Sequence, residues 1–101
     1  MMITSSQCRA ARALVEYSIA RLAISSGVSQ EIIEMFERRL ENAAHEDIDA
    51  LQSALEKAGA VFIPDSDSGG IGVRLKFNRS DTKRIATLES EGGIVAHDDV
   101  P

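Results

Sequence analysis

The sequence predicts a mainly α-helical domain in which four to five short helices precede a C-terminal β-hairpin. Apolar residues recur at helical spacing up to residue 58. Serine residues suited to beginning a helix and glycine residues suited to ending one divide this pattern into short segments. Alternation with a period of two residues begins only after residue 59. The length of 101 residues suits one domain. We expect a helical bundle over residues 4–59 and, within the same domain, a dimerisation extension over residues 60–101.

Composition and charge indicate a globular domain rather than a disordered or membrane-spanning chain. The sequence has 11 Lys and Arg residues against 16 Asp and Glu residues, a net charge of −5, and 44% of its residues are hydrophobic. No apolar run approaches the ~20 residues that a membrane span needs. The N-terminus lacks the basic region and apolar core of a secretory signal. These features predict a cytoplasmic protein that does not enter a membrane.

Residues suited to catalysis or metal binding are scarce. The single cysteine, Cys8, excludes an internal disulfide and cannot form a thiolate metal site alone, and its place on the inward side of the first helix predicts a packing role. The two histidines, His45 and His97, are far apart in the sequence and have no cysteine nearby. We therefore expect no enzyme activity, no metal and no cofactor.

Local start and stop residues define the first four helices. A capping box formed by Thr4 and Gln7 predicts a first helix over about residues 5–16. Ser18 precedes a second helix that begins at residue 19 and ends at residue 25 or 26. Ser29 precedes a third, over about residues 30–38. A connection over residues 42–45 leads to a fourth helix over residues 46–58, which a glycine ends.

The remainder of the chain predicts a hairpin and a last helix. Residues 60–63 form a short apolar run, a loop rich in Asp, Ser and Gly follows, and residues 72–77 alternate between apolar and basic side chains. A two-stranded hairpin is marginal in water, and its strand edges are available for pairing. We therefore expect a homodimer whose interface includes one of these two strands. Residues 81–90 predict a short helix, followed by a loose tail.

The second and third helices carry a pattern typical of the helix-turn-helix unit. A small residue, Ala23, stands where two steeply crossing helices approach most closely, and Gly27 supplies the left-handed turn four residues later. Ile33 and Phe36 then follow at the spacing of the buried side of the next helix. Leu22 and Val28 supply the flanking apolar positions.

Residues 7–59 resemble the phage-repressor and Cro-like helix-turn-helix proteins, also called the xenobiotic-response-element family. Residues 22–37 carry the strongest part of this resemblance, and residues 60–75 are similar to a bacterial branch of small regulators of this type. The resemblance implies a lambda-repressor-like bundle and a sequence-specific regulator that binds double-stranded DNA as a homodimer. It also implies an ion pair between Arg12 in the first helix and Glu37 at the end of the third.

The resemblance makes the third helix the recognition helix. The residues that it assigns to DNA contact are Ser29, Gln30, Glu31, Ile32, Glu34, Met35, Arg38 and Arg39. Two features depart from the family. Ile19 stands where a polar residue that touches the DNA backbone is common, and Glu31 and Glu34 bring negative charge to the surface that would face DNA.

An alternative of a different class follows from these departures. A helix-turn-helix scaffold with this surface is also suited to binding a protein, as an anti-regulator, an adaptor or an antitoxin. The surface for such a partner is predicted to comprise Ile19, Ile24, Ile32 and Met35, with Ile32 and Met35 exposed.

Overall fold

The structure, a computed structural model, describes residues 2–40 and 43–77. Within these residues four helices, α1 (Ser5–Val15), α2 (Ile19–Ser26), α3 (Gln30–Glu37) and α4 (His45–Lys57), precede two antiparallel strands, β1 (Ala60–Ile63) and β2 (Gly72–Leu75). The expected mainly α-helical class with a hairpin is confirmed. The last predicted helix and the tail lie outside the described residues. No helix in the described part of the chain is both long enough and apolar enough to cross a membrane.

Local hydrogen bonds explain where the helices begin and end. The Thr4 hydroxyl accepts from the Gln7 N–H at 3.1 Å while the Gln7 side-chain oxygen accepts from the Thr4 N–H at 3.0 Å, so the predicted capping box is present. The Ser18 and Ser29 hydroxyls cap α2 and α3 by accepting from the main-chain N–H three residues later, without the return bond of a capping box. Gly27 ends α2 in the left-handed conformation, with φ at 79°.

The fourth helix begins one residue earlier than predicted, at His45, and ends one residue earlier, at Lys57. His45 is therefore an exposed first-turn residue rather than part of a connection. No side chain caps this helix, but the Ala44 carbonyl accepts from the Ile48 N–H at 3.0 Å. Glu46 and Asp47 in the first turn complement the helix dipole, which helps this helix to start without a polar cap.

The core lies between the helices and the inner face of the hairpin. Its largest fully buried side chains are Leu22, Ile33, Leu51, Leu55 and Cys8. Phe62 and Val73, which are paired across the two strands, pack against this core from the sheet. The second strand ends at Leu75, two residues before the predicted end.

A buried glutamine joins the start of α1 to the hairpin. The Gln7 side-chain amide donates to the carbonyls of Ile63, at 3.2 Å, and of Gly72, at 2.9 Å, which belong to paired residues of the two strands. Its oxygen is occupied by the capping box, so the whole amide group is satisfied although the residue is only 2% exposed. The hairpin is thereby held against the same helix that contacts α3.

Candidate functional site

The connection between α2 and α3 is short and closely specified. The Gly27 N–H donates to the Ala23 carbonyl at 2.8 Å, and the Ser26 hydroxyl accepts from the Val28 N–H at 3.1 Å. Leu22 of α2 and Ile33 of α3 are both fully buried. Residues 27–29 therefore turn the chain between two helices that share one core, and α3 is fixed relative to α2.

The third helix has one buried side and one solvent-facing side. Ile33, Phe36 and Glu37 are buried, as the helical spacing predicts for the first two. Gln30, Glu31 and Glu34 are exposed, and Arg38 follows the helix as its exposed C-cap residue. Residues 31, 34 and 38 lie three and four positions apart, so they form one stripe along the solvent side.

The eight residues that the resemblance assigns to DNA contact do not share one environment. Ser29, Gln30, Glu31, Glu34, Arg38 and Arg39 are exposed. Ile32 and Met35 are half-buried, and Ile32 packs against the core, so the prediction that both are exposed is wrong. Ile32 and Met35 are three positions apart, so they lie together along one margin of the solvent-facing side, where neighbouring elements partly cover them.

The predicted apolar surface for a protein partner is correspondingly smaller than expected. Ile19 is half-buried and packs against the core, as Ile32 does. Ile24, in contrast, has 85% of its surface exposed. Ile24 is therefore the one member of the four predicted residues that is fully presented to solvent.

The expected ion pair between α1 and α3 is confirmed. Arg12 Nε donates to Glu37 Oε2 and Arg12 Nη2 donates to Glu37 Oε1, both at 2.9 Å. Arg12 Nη1 also donates to the Tyr17 carbonyl at 3.1 Å, just after the end of α1. The hydrogen bond to Glu37 raises the pKa of Arg12, whereas burial opposes this shift. This two-point contact fixes the C-terminal end of α3 against α1.

Two further residues of α1 converge on Glu37 and were not predicted to do so. The Cys8 thiol donates to Glu37 Oε2 at 3.4 Å, and the Arg9 guanidinium donates to the Glu37 main-chain carbonyl. Burial, with a smaller contribution from Glu37, raises the pKa of the Cys8 thiol to about 12. Cys8 and Arg12 are four residues apart and therefore share a helix face, which is the sequence signal that could have indicated this contact.

The charges on the solvent side of α3 form no ion pairs with the residues that the structure describes. Among residues 2–40 and 43–77, Arg12–Glu37 is the one ion pair. The carboxylates of Glu31 and Glu34 and the guanidinium groups of Arg38 and Arg39 consequently have no oppositely charged group of these residues within 4.0 Å. Arg21, in the first turn of α2, instead lies over the Tyr17 ring at 4.4 Å from its centroid.

The side chains presented by α3 are suited to forming hydrogen bonds with a polar partner. They comprise the Gln30 amide, two carboxylates and a guanidinium group. The described residues contain no group of three or more His, Cys, Asp or Glu side chains that could hold a metal ion. The chain matches no protein-family model and no curated protein.

Proposed function

We propose that the chain is a sequence-specific DNA-binding transcriptional regulator, built as a lambda-repressor-like helix-turn-helix bundle and acting as a homodimer. In this proposal α3 is the recognition helix and lies in the major groove, which is about 12 Å wide and admits one helix. The observation that carries the proposal is the fixed α2–Gly27–α3 unit, whose second helix presents a polar side to solvent. The sequence resemblance over residues 7–59 supports the same assignment.

The exposed residues of α3 and of its two ends either read bases or bind phosphates in this proposal. The Gln30 amide is able to form two hydrogen bonds with adenine, and the carboxylates of Glu31 and Glu34 accept from the amino group of cytosine. The Ser29 hydroxyl already accepts a hydrogen bond from the Ile32 N–H. The groups that bind an anion at this end are therefore the first main-chain amides of α3. Arg38 and Arg39, which follow the helix, contact phosphates in this proposal.

The test is a fluorescence titration of the protein against a random-sequence duplex at low salt. We expect binding that weakens as salt increases, because each neutralised phosphate releases counterions. The double variant Arg38→Ala, Arg39→Ala should bind every sequence more weakly. Its salt slope should be smaller by about two units, since each arginine that no longer neutralises a phosphate lowers the slope by about one.

The control is Lys57→Ala, which removes one exposed positive charge from the last turn of α4, outside both the α3 surface and the hairpin. This control should leave the salt slope nearly unchanged. An equal decrease per removed charge in the control and in the arginine variant would indicate a general charge effect and would contradict the assigned contacts.

The glutamates provide a second measurement on the same site. Glu31→Gln with Glu34→Gln removes two negative charges while preserving side-chain shape, so affinity for random-sequence duplex should increase. Selectivity between duplexes selected from a random pool and random duplex should fall, because a cytosine contact is worth about 1–3 kcal/mol. If neither the wild type nor this variant binds duplex at low salt, the regulator proposal is wrong.

A protein partner is the second candidate function. The observation that favours it is Ile24, which is 85% exposed. It lies on the same helix pair as the carboxylates of Glu31 and Glu34, which form no ion pair with any described residue. In that case duplex binding would be undetectable for both the wild type and the glutamine variant. Ile24→Asp would then abolish the complex with the partner while leaving the fold intact, since this side chain packs against little.

A further inference from the structure

The hairpin has an outer face that turns away from the helices. Phe62 and Val73 are opposite each other on the inner face, where they pack against the core. Because side chains alternate along a strand, Val61, Ile63 and Arg74 lie on the outer face. Ile63 is 38% exposed and Val61 is half-buried. The middle of the outer face is therefore apolar and partly open to solvent.

The two ends of this face carry opposite charges. Asp65 and Asp67 lie in the loop that joins the strands, and both are exposed. Arg74 and Lys76 are exposed at the other end, where the Lys76 N–H donates to the Gly59 carbonyl at 2.7 Å. None of these four charged groups forms an ion pair with another described residue. Along the hairpin the order is thus acidic, apolar and basic.

The strand edges are less accessible than this face. Ala60, at the start of β1, is 3% exposed, so its main-chain groups are largely covered. On β2, Arg74 Nη1 donates to the Leu75 carbonyl at 3.2 Å and occupies the edge beside it. A partner that adds a further strand would have to displace these groups, whereas a partner that covers the outer face would not.

We infer that the outer face of the hairpin binds the same face of a second copy of this chain, with the two hairpins running in opposite directions about a twofold axis. This arrangement places the Asp65 and Asp67 end of each copy against the Arg74 and Lys76 end of the other. The apolar side chains of Val61 and Ile63 meet in the middle. The pattern is self-complementary, as a twofold interface requires.

The expected association is reversible. Two strands about 13 Å long, each about 5 Å wide, present roughly 130 Å², against the roughly 800 Å² per partner of a standard interface. The dimer should therefore form over a range of protein concentration rather than permanently. The inference rests on the proposed function, because it identifies the surface through which the proposed homodimer forms. Its evidence comes from the hairpin and not from the α3 surface.

Sedimentation equilibrium of the full chain without DNA tests the inference through charge reversal. One variant, Asp65→Lys with Asp67→Lys, has two basic ends, and another, Arg74→Glu with Lys76→Glu, has two acidic ends. Each variant alone should be monomeric at concentrations where the wild type is dimeric, because like charges meet at both ends of the interface. An equimolar mixture of the two should restore dimers, since every contact then joins opposite charges.

A matched control reverses two exposed carboxylates away from the hairpin, Glu16→Lys with Asp49→Lys, and should dimerise as the wild type does. Circular dichroism of every variant should show unchanged helix content. A monomeric wild type at millimolar concentration, dimers of either hairpin variant alone, or no association in the mixture would each overturn the inference. Failure to bind DNA would leave these measurements unchanged, so a failure of the dimer contact is distinguishable from a failure of DNA binding.

Discussion

Glu37 accepts hydrogen bonds from Arg12 through both of its carboxylate oxygens, each at 2.9 Å, and thereby joins the last residue of α3 to α1. The side chain of Glu37 is 4% exposed and that of Arg12 is 24% exposed. The carboxylate is therefore buried and depends on its hydrogen-bond donors, whereas the guanidinium group keeps contact with solvent. This asymmetry determines which substitution is more harmful.

Arg12→Ala should lower the free energy of unfolding by about 2–3 kcal/mol, because it leaves the Glu37 carboxylate buried without its principal partner. Because Arg12 is partly exposed, the expected loss of unfolding free energy is smaller than the ~3–5 kcal/mol for breaking a fully buried pair. Urea unfolding followed by circular dichroism provides the measurement. Arg38→Ala, at an exposed position next to the same helix end, is the control and should change stability by less than about 0.5 kcal/mol. Equal effects of the two substitutions would contradict the importance of the pair.

Alkaline pH should destabilise the fold through Cys8. Burial, and secondarily Glu37, raises the pKa of this thiol from about 9.0 to about 12 in the folded protein. The unfolded chain releases the thiol proton at a lower pH than the folded chain, so the stabilisation is present below pH 9 and is lost as pH rises toward 12. Urea midpoints measured between about pH 8 and about pH 11 should fall more steeply for the wild type than for Cys8→Ala. Parallel slopes for the two proteins would contradict this role for the thiol.

Gln7→Glu should release the hairpin from α1. The amide nitrogen of Gln7 donates to two carbonyl oxygens, and a carboxylate oxygen in its place has no hydrogen to donate. We expect the free energy of unfolding to fall by about 2 kcal/mol or more, because the Ile63 and Gly72 carbonyls lose their shared donor. Hydrogen exchange of the Val61 and Arg74 amides should increase more than that of α4. Gln30→Glu, the same change at an exposed position, should leave exchange in the hairpin unaltered.

Backbone conformation predicts opposite effects at two helix ends. Gly27 has φ at 79°, and a Cβ added there would meet no heavy atom within 4 Å, so Gly27→Ala should cost only the backbone penalty of about 1–2 kcal/mol. Glu16 ends α1 at φ 61°, a left-handed conformation that glycine adopts more readily. Glu16→Gly removes this backbone penalty from the folded state but also raises the conformational entropy of the unfolded chain. The net effect should be a stabilisation of the protein by about 0.5 kcal/mol. Thermal unfolding of the two variants should shift in opposite directions.

The residue at which a helix starts can be predicted from local residues wherever a side-chain cap is present, as the starts of α1, α2 and α3 show. Capping is local, because Thr4, Ser18 and Ser29 each bond to the main-chain N–H three residues later. Gly27 is equally predictable, since only the backbone at that residue must be left-handed. The helix α4 starts one residue before the predicted position, because the residue that precedes it, Ala44, has no capping side chain that would mark the helix start.

Which side chains meet across the domain, and how far each is covered, depends instead on the packed arrangement of the elements. Cys8 contacts Glu37, 29 positions away, and Gln7 contacts Gly72, 65 positions away. Periodicity assigns each residue to the buried or the exposed side of a helix. It does not predict how far a neighbouring element covers the residues at the border between the two sides. Ile32 and Met35 were therefore predicted to be exposed and are half-buried, while Ile24 remains in solvent. Such coverage requires several helices to pack at once, because no local hydrogen bond or backbone preference encodes it.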